Sequence, residues 1–173
     1  MWRKKSSRPN EQVKTMSQIA EMSANGATVA AARPALTAGT TVLTLAGALP
    51  VDHLTAGDRV ITRDGVRTLK AVHVRTEAVA RMIRVSASAI GVEQPEEDML
   101  VTADTMILIR DWRAKALKGC DQAVMEAAKL VDGEYIRLEQ VAGARLYSLE
   151  FDAPCVIYAG GLEIAVAPAL AEA

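Results

Sequence analysis

Aromatic residues are almost missing from these 173 residues: Trp2, Trp112, Tyr135, Tyr147, Tyr158 and Phe151 are the whole set, although half the chain is hydrophobic. The core must therefore be built from Val, Leu, Ile and Ala, and a base-stacking surface of the kind that grips single-stranded nucleic acid is excluded. Cysteine is scarce too. Cys120 and Cys155 make no disulfide framework, and with only His53 and His73 beside them, far apart in sequence, no metal-binding spacing exists. No cofactor motif appears either, so the expectation is no cofactor and no metal. No apolar run approaches the roughly 18 residues of a membrane span. The basic start at Trp2-Arg3-Lys4-Lys5 is followed by Ser6, Ser7, Asn10, Glu11 and Gln12 where a signal peptide needs an apolar segment. The expected location is cytoplasmic, with leaderless secretion left open.

What is present divides the chain. Residues 1–34 carry Arg3, Lys4, Lys5, Arg8, Lys14 and Arg33 against Glu11 and Glu21, whereas the remainder is net acidic. This stretch reads as a basic, flexible tail. Its contacts, if it makes any through Arg3, Lys4, Lys5 and Arg8, would be with a protein, nucleic acid or an anionic lipid surface. Val13, Met16, Ile19 with Ala20, and Met22 recur at helical spacing, so a short amphipathic helix that folds on docking is the alternative to a solvated leader.

From Leu36 the texture changes to short Val/Ile/Leu/Thr segments punctuated by Gly and Asp, an all-β pattern. Strands are expected at Thr40–Leu45, Arg59–Arg63, Val66–Val74, Met82–Ser86, Met99–Thr102, Met106–Arg110, Tyr135–Leu138, Arg145–Phe151, Cys155–Tyr158 and Leu162–Val166. Asp64-Gly65 suits a type I′ hairpin turn between the second and third of these. One helix is expected, Asp121 to Leu130, with Asp121 as its N-cap. Gly91 to Asp98 reads as an exposed acidic loop, and residues 169–173 as a C-terminal tail. Leu54-Thr-Ala-Gly57-Asp58-Arg-Val60 and Leu130-Val-Asp-Gly133-Glu134-Tyr-Ile136 share the frame Leu-x-x-Gly-acid-x-apolar, which points to a pseudo-two-fold domain over 35–168.

The run Ala35-Leu-Thr-Ala-Gly39-Thr40, then Leu49-Pro50-Val-Asp-His-Leu54-Thr-Ala-Gly57-Asp58-Arg-Val60-Ile-Thr-Arg-Asp64-Gly65, resembles the opening of bacterial Hint (hedgehog/intein) domains. Further matches are Leu100-Val-Thr102-Ala-Asp-Thr105, Ala128-Lys-Leu-Val-Asp-Gly133, and Leu149-Glu-Phe-Asp152-Ala-Pro154-Cys-Val-Ile-Tyr158-Ala-Gly160-Gly161. The resemblance implies a twisted, pseudo-symmetric β fold that rearranges its own backbone. In such domains a first-position Cys or Ser attacks the preceding carbonyl, and a middle-motif His protonates the departing nitrogen.

Here the first position is Ala35, and the middle-motif His falls on Thr105, three after Thr102. The His after the Phe-Asp pair falls on Pro154, and the Asn after Tyr-Ala falls on Gly160. Asp152 is the one plausible base kept, and Cys155 reads as a core residue more readily than as a pocket thiol. The catalytic set is thus expected to be empty, with Ala35, Thr102, Thr105, Asp152, Pro154 and Gly160 marking a vestigial pocket. Three functions follow: a non-catalytic Hint-fold binding or structural module, a self-cleaving domain releasing residues 1–34 through an unusual nucleophile, or an adaptor that binds through its basic tail.

Overall fold

A computed structural model describes residues 34–168; the basic tail, its possible helix and the C-terminal tail lie outside the described residues. Among the described residues the structure is almost wholly β. The strands are β1 (Leu36–Thr37), β2 (Thr41–Thr44), β3 (Gly47–Pro50), β4 (Arg59–Thr62), β5 (Gly65–Thr68), β6 (Ala71–Val85), β7 (Met99–Thr102) and β8 (Met106–Ile109). After helix α1 (Trp112–Lys118) come β9 (Ala123–Glu126), β10 (Ile136–Glu150), β11 (Cys155–Ala159) and β12 (Leu162–Val166).

Two sheets result. In the first, the 15-residue strands β6 and β10 pair along their whole length, from Val85 opposite Ile136 to Ala71 opposite Glu150. Strand β7 joins the Met82–Val85 end of β6, and the short β1 bridges β7 and β10, closing a small barrel. The second sheet runs β3-β2-β4-β11-β12-β8-β9, with β5 on β4. The main core fills the space lined by both sheets and is aliphatic, with Phe151 and Tyr147 as its aromatic members.

The expected β segments are present, but several were fragments of longer strands. Val66–Val74 breaks at Leu69 and Lys70, whose N–H groups turn to Asp58 and Glu150 carbonyls, and the strand that resumes at Ala71 continues through the expected Met82–Ser86 segment. Most of Tyr135–Leu138 and of Arg145–Phe151 likewise belongs to one strand, β10, from Ile136 to Glu150. Their middles are exposed on both faces around Ala78, Val79, Ala142 and Gly143, so no apolar alternation marks them.

Two further expectations are corrected. Asp121–Leu130 is not a helix: Ala123–Glu126 pairs with β8, placing Val124 opposite Leu108 and Met125 opposite Ile107, and only Ala127–Leu130 coils, as a 3-10 turn. Burial of both faces of this strand removed the alternation that identifies one. The α-helix lies earlier, where Asp111 accepts from the Arg113 N–H as N-cap and Gly119 ends the helix at φ +68. The hairpin turn at β4–β5 is centred on Arg63 and Asp64, both at negative φ, with Gly65 already opposite Thr62 at φ +111, so it is not type I′. The I′ geometry belongs to Gly160-Gly161, at φ +58 and +88 between β11 and β12. The Gly91–Asp98 segment is exposed as expected, except that Pro95 is buried.

The internal repeat is real in three dimensions. Leu54 and Leu130 are buried, each at the end of a 3-10 turn; Gly57 and Gly133 take φ +98 and +82; and Val60 and Ile136 enter the core on the strands that follow.

Candidate functional site

Strand β1 is only two residues long, yet it sits between two neighbours, with Leu36 opposite Tyr147 on β10 and opposite Val101 on β7. That anchorage holds the preceding residue, Ala35, at 2 % exposure. Its N–H donates to Thr102 Oγ1 at 3.1 Å, and Thr102 Oγ1 lies 2.8 Å from Thr105 Oγ1. Thr102 ends β7 and Thr105 precedes β8, in a turn closed by the Thr105 N–H on the Thr102 carbonyl. The fold thus brings Ala35, Thr102 and Thr105 into one buried chain of contacts. What the arrangement presents is a methyl group and two hydroxyls, none of which exchanges protons readily near pH 7.

The other sequence-derived positions do not join them. Asp152 is 85 % exposed in its side chain and lies 3.7 Å from Lys70 Nζ. Pro154 is half-buried on the approach to β11. Gly160 lies by Met99, at the far end of β7 from Thr102, and is closed in: its N–H donates to the Thr41 carbonyl and its carbonyl accepts from Glu96. A Cβ built there would stand 2.8 Å from Met99 Sδ, and one on Gly161 2.5 Å from the Glu93 carbonyl oxygen. The acidic loop therefore packs on the β11–β12 turn and fills the space a side chain would need. Cys155 belongs to the main core, and burial pushes its thiol up to about 12, outweighing the nearby Arg67. It is structural.

A second group of polar residues went unrecognised in sequence. Ser148 follows Tyr147, the β10 partner of Leu36, and across the β6–β10 pair Ser148 faces His73. His73 Nε2 lies 2.5 Å from Glu150 Oε2, and Lys70 Nζ lies 3.7 Å from the other carboxylate oxygen. Ser148 and Glu150 are buried, while the His73 side chain is about half exposed. The only available signal was their position on paired strands, which requires knowing the register. Elsewhere, Asp52 Oδ1 accepts the Gly39 N–H at 2.9 Å, and this bond is the main reason its carboxyl titrates below the usual range. Asp52 also lies 3.7 Å from His53, which is exposed. Among the described residues no group of three His, Cys, Asp or Glu side chains gathers as a metal site, and no helix is long and apolar enough to cross a membrane.

Comparison with known proteins bears on the fold. A family model described as a Hint domain matches residues 34–165. Among solved structures, a bacterial intein-like domain from Clostridium thermocellum is 20 % identical, covering 77 % of this chain and 97 % of that one at a TM-score of 0.54. A DnaB intein from Synechocystis sp. PCC 6803 is 9 % identical over 78 % and 99 % (TM-score 0.53), and the gp41-1 intein is 14 % identical over 79 % and 99 % (TM-score 0.52). At these identities the likeness is one of fold. No curated protein matches the chain.

Proposed function

The chain belongs to the Hint domain family, and on that premise we propose that it is a non-catalytic member: a binding or structural module that keeps the scaffold and has lost autoprocessing. The observation that carries this reading is the Ala35–Thr102–Thr105 contact. The backbone amide at the nucleophile position is still held by a hydroxyl at 3.1 Å, but the side chain there has no atom able to attack the Pro34 carbonyl. At the opposite end, Met99 occupies the space beside Gly160 and the 93–96 loop the space beside Gly161. The partner is a protein, met at the Ala35 end of the barrel or through the basic leader, in the cytoplasm.

A second reading, self-cleavage at Pro34–Ala35 by a hydroxyl, draws on one observation. Ser148, His73 and Glu150 share the order of a nucleophile, base and orienting carboxylate, and Ser148 is next in sequence to Tyr147, the β10 partner of Leu36. Against it, the close contact is between His73 and Glu150, and among the described residues no hydrogen bond joins the Ser148 hydroxyl to His73. Intact mass of the untagged protein, incubated with and without a thiol, separates the two. A single full-length mass in both conditions is the expected result. A fragment beginning at Ala35 that vanishes in Ser148→Ala would replace the first reading with the second.

A further inference from the structure

Helix α1 is joined to the core by two adjacent residues. Ala114 enters the main core, and Arg113 is buried beside it, its guanidinium donating to the Ala89 carbonyl at 3.1 Å and taking up the carboxylates of Asp111 and Asp132. At about 100° per residue, burial of positions 113 and 114 turns Trp112, Lys115 and Ala116 outward together, with Lys118 at their side. All four are exposed.

Tryptophan is highly buried on average, yet Trp112 is 71 % exposed in a domain that has only five aromatic residues. It adds nothing to the core. The Arg113 guanidinium, 5.2 Å from the ring centroid, holds the ring at the surface. The same guanidinium is joined through Asp132 to the N–H of Tyr135, a second exposed aromatic residue. This group lies at the Met99 end of β7, because Tyr135 precedes Ile136, and Ile136 and Met99 both pair with Val85.

Charge sets the helix apart as well. Residues 110–118 hold four basic side chains and one acidic, in a domain with fourteen basic and eighteen acidic ones. Asp111 is engaged by Arg113, and Arg110 donates to Glu163 at 2.7 Å. The charges left over are those of Lys115 and Lys118, which make no ion pair among the described residues.

We propose that the outer face of α1 is a contact site for an anionic lipid surface. Trp112 enters the headgroup layer, where an aromatic ring with a polar edge is favoured, and Lys115 and Lys118 reach lipid phosphates while their stems lie along the acyl boundary. Size favours a bilayer over a protein partner. A seven-residue helix is about 10 Å long, and one ring with two lysines covers far less than the roughly 800 Å² that each side gives to a stable protein interface. A bilayer needs no matching shape. The association is reversible and salt-sensitive, and because it uses the Met99 end of β7 it leaves the Ala35 end free.

The test uses the full chain carrying Trp2→Phe, so that Trp112 is its one tryptophan. Phosphatidylcholine vesicles containing about one part in four of phosphatidylglycerol should shift Trp112 emission to the blue, and brominated lipid in them should quench it. Vesicles of phosphatidylcholine alone should do neither. Adding Lys115→Ala and Lys118→Ala should raise the lipid concentration at half-shift about 25-fold, at about fivefold per lysine, with the urea midpoint unchanged. Emission that stays at its aqueous position while the chain sediments with anionic vesicles would assign the binding to the basic residues 1–34 and overturn the proposal. So would equal shifts with neutral and anionic vesicles, or an unchanged half-shift in the lysine variant. A blue shift that grows with protein concentration in lipid-free buffer would overturn it too, by showing that a second copy covers the helix.

Discussion

The two ends of β7 are packed in different ways. At Thr102 three residues meet: Ala35 is seated, its N–H is satisfied by Thr102 Oγ1, and Thr105 Oγ1 lies against the same hydroxyl. On the proposed reading, only reactive atoms are missing there. At Met99 the contacts are of two kinds: Gly160 is hydrogen-bonded on both sides and a Cβ there meets the movable Met99 side chain, whereas a Cβ on Gly161 meets the backbone of the 93–96 loop. On the proposed reading, the first end is one that two substitutions could refit. The second is not, because Gly161 abuts loop backbone that has little room to give.

The largest effect should come from refitting the intact end. Ala35→Cys with Thr105→His is expected to restore thiol-dependent release of residues 1–34, with the His contributing about 100-fold over Ala35→Cys alone. Mass spectrometry of the products checks it. An uncleaved double variant would show that this end has also closed and would erase the contrast. Adding Gly160→Asn should yield no cleavage at residue 160, and a product ending there would break the contrast from the other side. Next in size is Gly161→Ala. Its new methyl meets backbone, the Glu93 oxygen at 2.5 Å and the Glu96 nitrogen at 3.0 Å, in a residue at φ +88. A loss of about 2–4 kcal/mol in urea unfolding is expected. Gly160→Asn should cost less, because Asn tolerates a positive φ and the Met99 thioether can swing aside.

Much of this was legible in the sequence, and what was hidden has a physical cause. The Leu-x-x-Gly-acid frame announced the two halves because a buried Leu, a left-handed Gly and a strand entry each demand particular residues. The positions Ala35, Thr102 and Thr105 were placed together by motif order alone. Strand β9 was hidden because both its faces are buried, which leaves Ala123–Glu126 indistinguishable from a helix segment. Helix α1 was signalled by Asp111 and Gly119 at its two ends but is only seven residues long, and its Trp112 and Leu117 are exposed, so no apolar stripe advertised it. The Ser148–His73–Glu150 group could not be read at all: its members are 75 and 77 residues apart from His73 and meet only through the β6–β10 register.

A smaller effect tests whether the Thr102 end is held by its hydroxyl. Thr102→Val keeps the shape and removes the acceptor of the buried Ala35 N–H, which should cost about 1–2 kcal/mol in urea unfolding. Thr105→Val leaves that bond in place and should cost less. Equal losses would mean that the two hydroxyls act as one unit, not as a seat and a spectator.

The smallest effect separates the two halves by pH. In the second half Asp132 Oδ1 accepts the N–H groups of Glu134, Tyr135 and Ile136 within 2.8–2.9 Å, where the first half has Ala56 at the matching position. Partial burial raises the Asp132 pKa, but these three bonds and the Arg113 guanidinium outweigh it, so the carboxyl titrates below its ordinary value of 3.8. A carboxylate depressed on folding stabilises the native state above its unfolded pKa, and that contribution is lost as pH falls through the folded pKa. Asp132→Asn keeps an acceptor but cannot titrate, so its stability should fall less steeply than the parent's as the pH drops below about 4. Urea midpoints from pH 6 down to 2.5 would show this as two curves that converge toward the acid end. Parallel curves would assign the acid sensitivity to the other depressed carboxylates, Asp52 beneath the Gly39 N–H and Glu139 paired with Arg84, and leave the two halves equally sensitive to acid.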